Sequence, residues 1–461
     1  MAQPESSARG LLTAILASLE TGLVERGLVV RLALLTALAG EHTLLIGPPG
    51  TAKSQLARRL HLAFGEGLYF ERLLTRFTVP EELFGPLSIR ALEEDRYERQ
   101  TAGFLPQASI AFIDEVFKAN SAILNALLTL LNEREFDNGP RREASPLISV
   151  IGATNAVPED EVGEAFYDRF LMRLPVAPVS GDEFGRLLDV AAAPPPLLAA
   201  PLREHDRESI ARAARAVRVD GEVKDLIAEL RARLADEQAY VSDRRWVKIV
   251  WLLKVAAASE GRTAVALWDL WLLPWCTVPD AARQAEVGAW LAARIGIRVP
   301  LSPPRLTRVV EAFEARLQTE RAADDLDYDD SGRLQFRAGV EAHDPNANLG
   351  QRMAYTRRRR YGATHIGARL RQVDELVARI DGYVAELAAR RDDLAGYCAQ
   401  SLWMDREFAV HADANLCATV DAVQALRQRV LQARAGFESL PRLDADPGTV
   451  PEPVEHESLA A

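Results

Sequence analysis

Gly47-Pro48-Pro49-Gly50-Thr51-Ala52-Lys53-Ser54 restricts the possible folds of this chain more than any other segment. It follows a short apolar run, Thr43-Leu44-Leu45-Ile46, and opens a stretch, Lys53 to Phe64, that reads as a helix. A strand, a Gly/Pro turn and a helix in that order gather backbone N–H groups at the positive end of the helix. A phosphate chain carries several negative charges close together. It is held best by such N–H groups, one lysine, and a hydroxyl on the accompanying magnesium. Lys53 and Ser54 supply the last two. Ala52 stands where the general pattern has glycine, so the backbone there has to tolerate a Cβ.

Two more apolar runs follow the same rule. Ile110-Ala111-Phe112-Ile113 and Leu147-Ile148-Ser149-Val150-Ile151 are almost wholly apolar and lead into polar residues. Strands buried on both faces and separated by helical stretches predict a parallel sheet covered by helices, an α/β fold. Such sheets bind ligands at the carboxyl ends of their strands. There, Asp114 can serve magnesium as an acidic outer ligand, and Glu115 can orient and polarise an attacking water. Asn155, in Ala153-Thr154-Asn155, is a neutral donor and acceptor able to hold that water or the γ-phosphate. A phosphate loop followed by an Asp-Glu strand end points to nucleotide hydrolysis.

Together these segments resemble the AAA+ ATPases, with Walker A at Gly47 to Ser54, Walker B at Ile110 to Glu115 and sensor 1 at Asn155. Phe77-Thr78-Val79-Pro80-Glu81-Glu82-Leu83-Phe84-Gly85-Pro86, Gly103-Phe104-Leu105-Pro106, Lys118-Ala119, and Ile123 to Leu128 with Leu131-Asn132-Glu133-Arg134 are similar to the MoxR branch. The closest likeness is to the RavA-like group, which also carries alanine before the P-loop lysine. The resemblance implies ATP with Mg2+, held by the loop residues Gly47 to Ser54 and by Asp114, the metal by Ser54 and Asp114. It further implies two arginines. Tyr167-Asp168-Arg169-Phe170 matches the arginine-finger segment, which reaches the γ-phosphate of a neighbouring subunit, with Arg173 as the competing choice. Ser242-Asp243-Arg244-Arg245-Trp246 matches the sensor 2 segment of the helical lid, with Arg244 set before Arg245. Proteins of this branch typically form homo-hexameric rings. They work with a von Willebrand factor A (vWA) domain protein and act as chaperones that mature or remodel a protein client.

Composition breaks divide the chain further. Residues 1–190 form the expected AAA+ P-loop sheet core, and a Pro-rich break at Ala191 to Pro201 leads to an expected all-α lid over 202–298. Trp268, Trp271 and Trp275 recur at helical intervals and read as lid core. Residues 299–440 are expected to hold a small acidic loop or hairpin around Asp324 to Ala342 and then a long C-terminal helical hairpin. Its apolar positions are Val373, Val377, Ile380, Val384, Leu387 and Leu394, facing Leu416, Val420, Val423, Leu426 and Val430. Such a hairpin either projects toward a partner or folds back as a brace. The tail 441–461, rich in Pro, Glu and Asp, reads as disordered.

The net charge of −11 weighs against nucleic acid as a partner. Cys276, Cys398 and Cys417 show no metal or disulfide spacing, and no apolar run reaches the roughly 18 residues of a transmembrane segment. A cytoplasmic protein is expected. Asp327 to Gly332 resembles the start of an EF-hand, but Ala338 stands at its twelfth position. Besides a remodelling ATPase, two readings stay open: a nucleic-acid-dependent motor, for which Arg357 to Arg360 speak, and a low-turnover nucleotide switch.

Overall fold

The computed structural model describes residues 8–65, 67–157, 161–190, 198, 200–323, 359–443, 446 and 448–459. The chain forms two compact units, Met1–Ile295 with Gly396–His411, and Gly296–Ala395 with Ala412–Ala461.

The first unit is built on a parallel five-stranded sheet. Its strands are β1 (His42–Ile46), β2 (Leu68–Leu73), β3 (Ala108–Asp114), β6 (Ser149–Thr154) and β7 (Phe170–Pro175), with a separate antiparallel hairpin of β4 (Glu135–Asn138) and β5 (Arg141–Ala144). The order is β2-β3-β6-β1-β7. The central strands are apolar along their length because helices cover both faces, and Leu44, Phe112, Ile113, Val150 and Ile151 are buried. β6 starts two residues later than its apolar run suggests, at Ser149 instead of Leu147, and continues through Thr154. Pairing decides this: Leu45 and Ile46 of β1 take Ala153 and Thr154 as register partners. The edge strands β2 and β7 escape a sequence reading, since Leu68-Tyr69-Phe70-Glu71-Arg72-Leu73 carries charges and lies at the margin of the sheet.

Two helices among the described residues precede the sheet. Helices Ala8–Glu20 and Gly27–Leu38 are separated by a turn in which Gly22 and Glu25 adopt positive φ. After the sheet, helices Glu204–Ala216, Gly221–Asp236, Asp243–Ser259 and Ala281–Arg294 form the all-α lid, with Trp268 and Trp271 in its core as expected.

The second unit departs from the sequence reading in three ways. First, helix Pro303–Ala322 packs with Ala363–Gln400 and Arg406–Glu438, so the expected hairpin is part of a three-helix arrangement. Leu306, Val309, Val310, Phe313 and Leu317 are its share of the core, and a Cβ at Gly436 would sit 2.3 Å from the Leu317 side chain. The extra helix moves the buried stripe, so that Leu376 and Tyr383 are buried while Val377, Val384 and Val420 are half-buried. Second, the turn of the hairpin, Gly396–His411, belongs to the first unit. Trp403 is fully buried there and its Nε1 donates to Ser259 Oγ at 2.9 Å. Third, residues 448–459 lie against the second unit as irregular but placed chain, which corrects the expectation of a disordered tail. The stretch Asp324 to Ala342, with the EF-hand-like segment, and Arg357 and Arg358 lie outside the described residues.

Candidate nucleotide-binding site

The site grows from the carboxyl ends of three adjacent strands. β1 lies between β6 and β7, and β6 lies between β1 and β3. Ile46 is level with Thr154, and Ile113 with Gly152. This register brings the loop after β1, Asp114-Glu115 after β3 and Asn155 after β6 to the same rim of the sheet.

The loop fits closely. An added Cβ at Gly47 would stand 2.1 Å from Val176 O, so only glycine lets the chain leave β1 beside the end of β7. Ala52 takes the left-handed conformation, φ 65°, directly before helix Lys53–Ala63. An alanine there costs about 1 kcal/mol, which the loop geometry has to offset. Lys53 is buried, and its Nζ donates to Gly47 O and Pro48 O, both at 2.8 Å. Burial lowers the Lys53 pKa, while Asp114 and Glu115 favour its charged form. Thr51 Oγ1 donates to Pro48 O at 3.0 Å and tightens the turn.

Asp114 accepts the Glu115 N–H on Oδ1 at 3.0 Å, which leaves its other oxygen to a cation. Glu115 has φ 51°, a left-handed backbone at the strand end, and its Oε1 lies 3.4 Å from Lys118 Nζ. Thr154 Oγ1 caps the turn after β6 by donating to Ala156 O at 2.7 Å, and this turn presents exposed Asn155.

Beside the loop lies a pocket of about 670 Å³ that the sequence reading missed. Gly22, Leu23 and Val24 line it from the break between the first two helices, Pro48 to Ala52 from the loop, and Phe184, Leu187 and Leu188 from helix Phe184–Val190. Its apolar wall next to a phosphate loop suits a planar base. Arg26 is buried behind the loop, with Nη2 donating to Ala177 O at 2.6 Å and Nε to Thr51 O at 3.4 Å. The sequence signal that could have found this wall is Thr21-Gly22, a turn dipeptide between the apolar stretches that form the first two helices.

The four candidate arginines separate by environment. Arg173 is buried, donates to Tyr167 O at 3.3 Å and lies 4.0 Å from the centroid of the Tyr167 ring; burial pushes its pKa down to about 9. Arg245 is buried and joins the lid to β7, donating to Cys276 O, Asp168, Phe170 O and Leu171 O. Arg169 and Arg244 are more accessible. Arg169 lies 3.5 Å from Asp168, and Arg244 donates to Asn132 Oδ1 at 2.7 Å. They are near enough that, after burial, the Arg244 charge is the next cause lowering the Arg169 pKa. Among the described residues lining the P-loop pocket, neither is found.

A parallel sheet in this order, a phosphate loop, an Asp-Glu strand end and a helical lid define an AAA+ ATPase. Residues 10–194 match the family described as the MoxR domain in MoxR-vWA-beta-propeller ternary systems, and residues 222–291 match the AAA lid domain. Two uncharacterised proteins of Methanocaldococcus jannaschii are 41% identical over 269 residues and 42% identical over 267 residues, in each case over 57% of this chain and 70% of the relative. Protein MoxR of Paracoccus denitrificans is 31% identical over 161 residues, 33% of this chain and 47% of its own length. The chain belongs to the MoxR family of AAA+ ATPases.

Proposed function

We propose that this protein is a magnesium-dependent ATP hydrolase of the RavA-like group that acts as a homo-hexameric ring and uses hydrolysis to remodel or mature a protein client. The observation that carries the hydrolase reading is the common rim on which the loop after β1, Asp114-Glu115 and Asn155 meet. The hard oxygen donors of Ser54 and Asp114 fit magnesium, which, when bound, neutralises phosphate charge. Loop N–H groups and Lys53 hold the β- and γ-phosphates. Glu115 accepts the proton of the attacking water, and Asn155 orients that water against the γ-phosphate. Arg169, as the arginine finger, suits the developing charge at a neighbouring subunit's γ-phosphate, and Arg244, whose charge acts on Arg169, is the sensor 2 arginine of the lid. A vWA-domain protein is the proposed working partner, a reading supported by the family description.

The test separates binding from chemistry. Lys53→Ala abolishes nucleotide binding in a fluorescent-ATP titration. Glu115→Gln keeps ATP bound while phosphate release falls by roughly 10²–10⁴-fold, the usual contribution of a general base. Equal turnover in Glu115→Gln and the parent removes Glu115 from the water-activating role.

A further inference from the structure

In the second unit, the irregular segment 448–459 lies along a groove between helices Pro303–Ala322 and Ala363–Gln400. Its contacts are graded along its length. Arg369, fully buried and paired with Glu320, donates from Nη1 to Glu452 O at 2.7 Å. His456 packs on Phe313 with ring centroids 5.8 Å apart, and Glu457 pairs with Arg308 at 2.9 Å and with Arg305 at 3.8 Å. Leu459 is buried beside Leu301 and Tyr383.

The geometry is that of an extended peptide. Glu320 to Leu301 spans about 28 Å at 1.5 Å per helical residue, and Glu452 to Leu459 spans about 24 Å at about 3.4 Å per extended residue. The segment therefore runs antiparallel to the first helix, one contact after another. Pro451 and Pro453 favour the extended form before docking, which lowers the entropy lost on binding.

Two observations mark the segment as displaceable. Its Glu457–Arg308 pair is about half exposed on both sides, 45% and 56%, and exposed pairs of that kind contribute at most about 1 kcal/mol. Most of its residues are exposed, and Leu459 is its one buried residue among those described. On a chain of net charge −11, the groove wall nevertheless offers Arg305, Arg308 and Arg369 to this acidic segment.

We propose that this groove is a docking site for an acidic, leucine-bearing linear segment of a partner protein, and that residues 448–459 are its resident competitor. The groove reads a carboxylate through Arg308 and, two residues on, a leucine side chain buried beside Leu301 and Tyr383, with Arg298, Arg379 and Glu386 around them. The tethered segment competes at a high effective concentration and keeps weak ligands out. This proposal is independent of the nucleotide site.

The test uses the full chain and a fluorescein-labelled peptide with the sequence of residues 449–459, read by fluorescence anisotropy. The double variant Glu457→Arg, Leu459→Asp releases the resident segment. It binds the peptide roughly tenfold or more tighter than the parent does, and adding Arg308→Glu to it removes the binding. A scrambled peptide stays free. Hydrogen exchange gives a second readout on the unaltered parent, where excess peptide raises exchange at residues 448–459. Three outcomes overturn the proposal: equal affinity of parent and released variant, no binding to either with exchange unchanged, or self-association of the released variant without peptide uptake, which makes the groove an interface between copies.

Discussion

Arg244 and Arg245 are neighbours in sequence with opposite environments, one exposed and one buried. Arg245 satisfies carbonyls from β7, Asp168 and Cys276 in the interior, where an unpaired group is costly. Arg245→Ala is expected to lower stability by about 3–5 kcal/mol, measured by urea denaturation. Arg244→Ala stays within about 0.5 kcal/mol of the parent yet loses ATP turnover; unchanged turnover removes Arg244 from the site. His42 offers a pH test. It is fully buried and neutral, its Nδ1 accepting the Val150 N–H at 2.9 Å and its Nε2 facing Leu131 O at 3.2 Å. Burial first, then the charges of Arg134 and Lys248, hold its folded pKa well below the ordinary 6.5. Below that ordinary value the unfolded chain binds a proton that the folded chain refuses, so stability falls as pH falls. This residue contributes a slope of up to about 1.4 kcal/mol per pH unit. Denaturation between pH 7.5 and 5 is expected to be steeper in the parent than in His42→Gln, and parallel slopes contradict the assignment.

At the scale of elements, the turn Gly396–His411 is held by a desolvated polar cluster within the first unit. Arg262 bridges Glu260 and Asp269, both at 2.7 Å; Tyr397 donates to Asp269 at 2.6 Å, and Ser401 to Glu260 at 2.7 Å. Trp403→Ala removes a fully buried indole and is expected to cost about 3–5 kcal/mol, whereas Val410→Ala, at an exposed site of the same turn, is expected to cost under about 0.5 kcal/mol. Thermal denaturation of both variants decides it. Equal melting points refute the anchoring.

For the whole molecule, the proposed action of Arg169 in trans makes assembly part of the proposed site. Subunits carrying Lys53→Ala are inactive for want of a phosphate cradle, and those carrying Arg169→Ala for want of a finger. Mixed in equal amounts, some interfaces join a sound loop to a sound finger, and hydrolysis is expected to recover to a measurable fraction of the parent rate. No recovery, with subunit exchange verified by a labelled partner, speaks against action in trans by Arg169.

The strand ends at the loop, Asp114-Glu115 and Asn155 were legible in the sequence because each is a short local pattern, an apolar strand followed at once by polar residues, and the sheet register brings the three to one rim. The α/β core followed from the same runs, since a strand buried on both faces has to be apolar throughout. Long-range packing decided the rest. Arg244 and Arg245 have the same local sequence context, and only the placement of the lid beside β7 buries one and leaves the other accessible. The pocket beside the loop joins residues near 22, 50 and 187, which no local spacing connects. Segment 448–459 is polar enough to read as disordered, yet it takes its place because Arg369 and Arg308, brought together by the folded helices, offer donors to an acidic chain. Local pattern specifies which backbone and chemistry are available, and burial, which depends on every neighbour at once, assigns each side chain its role.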